Sequence, residues 1–239
     1  MSSLAARFTV VCVSLVIFWS VLAESGQAAI DPESIVEIWT FDEGRGEDVK
    51  DVSGNGNDAF FLGKPKWVDG QFGTALDFDS LGDVAQIAEF GNVASTKEAT
   101  LTVWTKLGDT INCDIVSFDP LAGDNRFTIH FPWGNGVIWQ HGTDQNNLSI
   151  RLPEETLDNW EHWAFVGSTK DSYMNMLRNG EEVALKEDVP TAKPAFRTSP
   201  QNWNIAGRRG SSYTGIIDPL GVFNAALSND DIQSIMDKG

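Results

Sequence analysis

Cysteine is nearly missing from this 239-residue chain; Cys12 and Cys113 are the only two. A disulfide-stapled scaffold is thereby excluded, because such frameworks rest on several paired cysteines. Cys12 sits in an apolar N-terminal run, which leaves Cys113 as a small buried hydrophobe or, alternatively, an intermolecular bridge. Positive charge is also scarce. Against 17 Lys and Arg stand 34 Asp and Glu, a net charge of -17. A surface this acidic is repelled by phosphate backbones and anionic lipids, so no nucleic acid partner is expected. Divalent cations and neutral sugars suit it better, although solubility alone also accounts for the charge. Histidine is limited to His130, His141 and His162. Their spacing forms no His-x-x-x-His pair and no His-Glu-x-x-His, so no zinc site assembles. His162 reads as a hydrogen-bonded structural residue. After the first 28 residues no apolar stretch reaches the roughly 20 residues that a membrane span needs. No stable membrane insertion is expected once the N-terminus is removed.

That N-terminus reads as a secretory signal. Arg7 is the only charge before Glu24, and residues 8–22 are apolar except for Thr9, Ser14 and Ser20. A positive start, an apolar run of about 15 residues and small residues behind it fit a signal peptide. Cleavage is expected after Ala23 or after Ala28, with residues 1–28 taken as the signal and residues 29–239 as one domain, secreted to an extracellular or periplasmic space. An uncleaved anchor is the other reading.

What remains is a series of short β runs separated by Gly, Asn, Asp, Ser and Pro. The runs fall at residues 35–41, 58–62, 74–78, 83–88, 100–106, 115–118, 127–131, 137–141, 148–152, 162–168, 173–178, 182–185, 202–206 and 215–223. In residues 100–106, Leu101, Val103 and Thr105 point one way and Thr102, Trp104 and Lys106 the other, as in a strand. Asn179-Gly180 between two runs predicts a tight hairpin. Spacing of this kind predicts an all-β sandwich or barrel. A single helix is expected at the end, with Ser228 as N-cap, Asp231 three residues on, and Ile232, Ile235 and Met236 as its apolar stripe. Residues 190–200 read as an ordered crossover loop.

Several stretches then occur in a familiar order. They are Trp39-Thr40-Phe41-Asp42-Glu43-Gly44, the loop Asp51-Val52-Ser53-Gly54-Asn55-Gly56-Asn57-Asp58, and Phe72-Gly73-Thr74-Ala75-Leu76-Asp77-Phe78-Asp79. Leu101-Thr102-Val103-Trp104-Thr105-Lys106 follows, then Trp160-Glu161-His162-Trp163-Ala164-Phe165-Val166, Asn179-Gly180, Tyr213-Thr214-Gly215-Ile216-Ile217-Asp218 and Phe223-Asn224-Ala225-Ala226-Leu227-Ser228. In this order they resemble the laminin-G-like jelly-roll family of the concanavalin-A-like lectin and glucanase fold. The resemblance implies a two-sheet antiparallel jelly-roll sandwich whose first and last strands lie side by side. It departs from the family at Pro219-Leu220, where an acidic residue and Val usually follow the Ile-Asp pair. Proline cannot donate to a ladder, so this strand is expected to be an edge there or to carry a bulge.

Fold does not give function; members of the family bind sugars, proteins or calcium. The resemblance therefore implies a binding or adhesion module without naming its ligand. A bound Ca²⁺ ion, held by Asp42 and Asp218 with carbonyls of the Glu43-Gly44 loop, is one expectation, since hard oxygen ligands favour it; Asp218 capping a turn is the other. Asp51, Ser53 and Asn55 followed by Gly56 partly imitate a calcium loop, but Leu62 stands where the bidentate Glu belongs, and turn chemistry explains the residues equally. For a sugar, Trp133, Trp139, Trp203 and Tyr213 are the candidate stacking surfaces, with Trp133 the most exposed between Pro132 and Gly134. Trp39, Trp104, Trp160 and Trp163 are assigned to the core. Glycoside hydrolysis needs a pair of carboxyls across the bond. The Glu-x-Asp-x-x-Glu strand of this fold's glucanases is not found in the chain. Glu155, Asp158 and Glu161 are its nearest imitation and read as a solvated loop. The expectation is a secreted, non-catalytic, carbohydrate-binding module, with an extracellular protein-interaction or adhesion module second and a hydrolase third.

Overall fold

The computed structural model describes residues 30–90, 97–119, 127–141, 147–189, 201–208 and 211–239. The expected signal segment with Arg7 and Cys12, and the crossover expected at 190–200, lie outside them. In chain order the strands are β1 (Ile35–Trp39), β2 (Asp48–Val49), β3 (Ala59–Leu62), β4 (Lys66–Asp69), β5 (Thr74–Phe78), β6 (Val84–Phe90), β7 (Glu98–Leu107), β8 (Asp114–Asp119), β9 (Phe127–Trp133), β10 (Gly136–His141), β11 (Asn147–Arg151), β12 (Trp160–Ser168), β13 (Tyr173–Arg178), β14 (Glu181–Glu187), β15 (Gln201–Ile205), β16 (Gly207–Arg208), β17 (Ser211–Ser212) and β18 (Gly215–Phe223). They form two antiparallel eight-stranded sheets and a small ribbon of β16 and β17. The first sheet runs β14-β13-β12-β7-β18-β5-β4, with β1 also on β18. The second runs β11-β10-β9-β8-β15-β6-β3-β2. The expected jelly-roll sandwich is what the chain forms.

Alternation along the strands builds the core between the sheets. Leu101 and Val103 of β7 and Phe127, Ile129 and Phe131 of β9 point into it, while their neighbours point out. Trp39, Trp139, Trp163 and Trp203 are fully buried there. Their rings meet phenylalanines: Phe127 against Trp139 at 5.0 Å, Phe90 against Trp203 at 5.1 Å and Phe131 against Trp163 at 5.2 Å. Cys113 belongs to the same core, and its Sγ–H donates to the Phe131 carbonyl at 3.0 Å. Burial pushes its thiol up, away from the reactive thiolate. A second, smaller cluster of Ala164, Val166, Leu177, Phe223, Leu227 and Ile232 lies on the other face of the first sheet, under helix α1 (Asn229–Lys238), which Ser228 and Asp231 start with a reciprocal capping box.

Two local devices match the sequence closely. Asn179 and Gly180 take φ values of 51° and 80°, the pair that a tight β13–β14 hairpin requires. Pro219 sits where the β18–β7 register slips between Asp218 and Leu220. At that point β18 also changes its other neighbour, from β5 along residues 215–217 to β1 along residues 220–223. The bulge places the residue that lacks an N–H at the switch. Strands β2 and β4 carry no strong β pattern and were not legible, because each is a short edge element held by one neighbour. Glu155 and Asp158 are exposed, but Glu161 corrects the expectation of a solvated loop. Glu161 is buried in β12, bonded twice by Arg178 of β13 and once by the Trp163 indole N–H at 3.0 Å. Arg178 also reaches the exposed Glu155 at 3.0 Å. This ion-paired group ties a hairpin together.

Candidate functional site

The side chains of the second sheet that point away from the core form a continuous polar row, each of them buried. Gln140 of β10 faces Thr128 of β9 in the ladder. One residue beyond the Val116–Ile129 pair, Ser117 of β8 stands beside Thr128. Ser117 pairs with Asn204 of β15, Asn204 with Gln86 of β6, and Gln86 with Phe60 of β3. Their inward neighbours Trp139, Ile129, Val116, Trp203 and Ile87 belong to the core, which fixes the polar set on the opposite face. Gln86 Nε2 donates to Asn204 Oδ1 at 2.8 Å, and Ser117 Oγ–H donates to the Gly207 carbonyl at 3.1 Å. The Thr128 hydroxyl is buried without any hydrogen-bond partner. Phe60 closes the row with 39 % of its surface exposed.

A second line runs beside it. His130 of β9 is bonded through Nδ1 to buried Asp114 of β8 and lies tilted against Trp133, ring centroids 5.1 Å apart. Trp133, Asn135, Ile138, Ser149 and Arg151 line a cleft of about 580 Å³ at this end of the sheet, within the size range of small-ligand sites. The cis peptide between Phe131 and Pro132 precedes Trp133. The face thus carries amides, hydroxyls and an imidazole, with a partly exposed aromatic at each end.

The structure sorts the sequence candidates sharply. Trp133, expected to be the most exposed of the four, is half-buried and lines the cleft. Trp139, Trp203 and Tyr213 have no exposed surface and offer no ring face to a ligand. The first two point inward because they alternate with Gln140 and Asn204. Tyr213 spends its hydroxyl on Thr105. Trp104 and Trp160, assigned to the core, are instead half-buried, Trp104 on the outer face of the first sheet beside His162. His162 has no hydrogen-bond partner at either ring nitrogen, contrary to its expected structural bonding. Phe60 and the polar row were missed. The alternation of β9 displayed Thr128 and His130 as outward, but the neighbours from β15 and β6 come from distant sequence.

Asp42 and Asp218 do come together, on either side of the turn between β4 and β5. Asp218 Oδ2 accepts the Phe72 N–H at 2.7 Å, and Asp42 Oδ1 accepts the Thr74 N–H at 3.1 Å. Gly73 is required here: its φ is +58°, and a Cβ would fall 2.0 Å from Asp42 Oδ1. Burial raises the Asp218 carboxyl to about 6, opposed by the turn amides and reinforced by the Asp42 charge. Asp218 Oδ1 is buried without a partner. Among the described residues no three His, Cys, Asp or Glu side chains converge, so a cation here would rely on these two carboxylates with carbonyl and water oxygens. The Asp51 loop follows turn chemistry. Asp51 accepts the amides of Ile38, Ser53 and Asn57 at 3.1, 2.9 and 3.0 Å, and Asn55 Nδ2 donates to the Ile35 and Val36 carbonyls of β1.

Strand order and sheet pairing define a lectin-type jelly roll. Residues 79–233 match the concanavalin A-like lectin/glucanases superfamily, and the chain belongs to it. No curated protein matches the sequence significantly. Among solved structures, domain 4 of AbnA, an extracellular GH43 arabinanase from Geobacillus stearothermophilus in complex with arabinotriose, is similar over 85% of this chain and 98% of its own, with 14% identity and a TM-score of 0.66. The binding domain of Paraclostridial Mosquitocidal Protein 1 is similar over 86% of this chain, with 14% identity and a TM-score of 0.67. The receptor binding domain of botulinum neurotoxin C/D mosaic serotype is similar over 87%, with 14% identity and a TM-score of 0.68. This chain spans about half, 52%, of each toxin domain. At this identity the likeness is one of fold. No helix among the described residues is long and apolar enough to cross a membrane.

Proposed function

We propose that the chain is a secreted, non-catalytic module that binds neutral carbohydrate on the outer face of the second sheet. The observation that carries this is the pair of accessible aromatics on that face, Phe60 and Trp133 with its cleft of Asn135, Ser149 and Arg151, at the two ends of the buried polar row Gln140, Thr128, Ser117, Asn204 and Gln86. Neutral donors and acceptors suit a hydroxyl-rich, uncharged ligand, and an aromatic edge gives its apolar ring face a surface. The row contains no carboxylate, whereas glycoside hydrolysis needs two; this supports binding over turnover. The arabinotriose-bound relative supports the ligand class. A structural Ca²⁺ ion at Asp42 and Asp218 belongs to the same reading, supported by the unpartnered Asp218 Oδ1.

An array of neutral oligosaccharides tests the proposal, read with calcium and with chelator. Retention of one glycan class is expected, with at least tenfold loss in Phe60→Ala and in Trp133→Ala. No new reducing ends should form. An array without a retained glycan overturns the ligand class. Turnover abolished by Glu155→Gln or Glu161→Gln overturns the non-catalytic reading.

A further inference from the structure

Helix α1 covers the outer face of the first sheet incompletely. Between its C-terminal half and strands β1, β7, β12 and β18 lies a pocket of about 200 Å³. Its walls are largely hydrocarbon, from Ile35, Ile38, Leu220, Phe223 and Ile235. Two polar rings interrupt them. His162 and Trp104 are ladder partners on β12 and β7, with ring centroids 5.5 Å apart. His162 is 1% exposed, and both its nitrogens lack a hydrogen-bond partner; the buried Trp104 indole N–H lacks one too.

Buried polar atoms are normally satisfied, so three orphans in one wall of one pocket point to an occupant. Its chemistry follows from the wall. Neutral imidazole offers one donor and one acceptor, and indole offers one donor. A hydroxyl group complements them, because it accepts from the indole N–H and donates to the imidazole acceptor. The remaining lining asks for an apolar body. An enclosed apolar cavity of roughly 150 Å³ takes benzene, so this volume suits one substituted ring. Lys238 at the rim already donates to Ser234 at 2.9 Å, and a chain of net charge -17 disfavours anions.

We propose that this pocket is a binding site for a small neutral aromatic alcohol of the phenol class, with its ring against the aliphatic wall and its hydroxyl between Trp104 and His162. The site lies on the opposite sheet from the carbohydrate face and does not depend on it. Water is the competing occupant, since a buried water typically makes about three hydrogen bonds; an absence of phenol binding assigns the pocket to it.

Saturation-transfer NMR on the intact protein, with phenol, toluene and glucose as probes, decides between them. Phenol should receive saturation and raise the melting temperature, toluene should bind at least fivefold more weakly, and glucose should not compete. Ser234→Phe, which fills the pocket from the helix, should abolish phenol binding and spare glycan binding. Ile38→Phe, filling it from β1, gives the same reading if the helix variant is unstable. His162→Phe should narrow the phenol–toluene difference, because it leaves the Trp104 N–H as the one remaining partner of the hydroxyl. Absence of phenol binding, equal affinity for toluene in the wild type, or phenol binding unchanged in both filled variants would each overturn the proposal.

Discussion

Glu37 lies on β1 with no exposed surface, and neither carboxylate oxygen has a partner. Burial first, and the Asp51 charge second, push its carboxyl well above the usual range. A raised folded-state pKa means that the folded chain holds a proton which the unfolded chain has already released. Stability from this group is present at low pH and falls as pH rises above about 4.5. Glu37→Gln should therefore raise the melting temperature at neutral pH, with a gain that shrinks towards pH 4; a lower melting temperature at pH 7 would contradict this. The buried histidines act in the opposite direction. Burial lowers both His141 and His162 to about 4. Their contribution is complete above about 6.5 and is lost as pH falls towards 4, by roughly 3 kcal/mol for each. In denaturant titrations at pH 7 and pH 4.5, His162→Leu should lose less stability on acidification than the wild type. Nothing in the sequence marked Glu37 and His162 as unpartnered, because orphaned polar atoms follow from what other strands place around them.

At the scale of elements, chain-local chemistry was legible and cross-sheet contact was not. Ser228 and Asp231 announce the α1 cap, and the structure forms it with both reciprocal bonds. Ser228→Ala should cost about 1 kcal/mol in urea unfolding, whereas Gln233→Ala on the exposed face should cost little. Gly167 of β12 gave no such signal. A Cβ there would fall 2.7 Å from Cγ of His141 on β10, so the glycine lets the imidazole of the second sheet lie against the first. Gly167→Ala should destabilise by about 1–3 kcal/mol through overpacking. Combining it with His141→Ala should recover part of that loss, and strictly additive losses would separate the two residues. Residues 155–161 carry the same lesson. They read as a solvated loop, which holds for Glu155 and Asp158, but β13 brings Arg178 onto Glu161 and turns that acid into a buried ion pair.

For the whole molecule, the joining of the first and last strands fixes one further expectation. β1 and β18 are paired, and the Asp42 and Asp218 carboxylates flank one turn beside that seam. A Ca²⁺ ion bound only by the native state adds about 2.7 kcal/mol at a hundredfold excess over Kd. Melting temperature should rise in millimolar calcium chloride and return with chelator. Asp218→Ala should lose that response, and Glu187→Ala, a change on the exposed face of β14, should keep it. Equal melting temperatures with calcium and chelator would remove the ion from the proposal. The alternation of apolar and polar residues, the Asn-Gly hairpin, the Asp51 loop, the Pro219 bulge and the helix cap all act within a few residues of one another, so the sequence by itself determined the β-sandwich class, most strand positions and the acidic, disulfide-poor character. It also placed Asp42 near Asp218, through a resemblance that orders the strands. Only the tertiary structure decided which faces meet which neighbours. It turned Trp139, Trp203 and Tyr213 into core, aligned Gln140, Thr128, Ser117, Asn204 and Gln86 across five strands, and left His162 and Trp104 facing a pocket. Those outcomes depend on strand order and register, set by packing between segments as far apart as residues 60 and 204, and no local pattern encodes them.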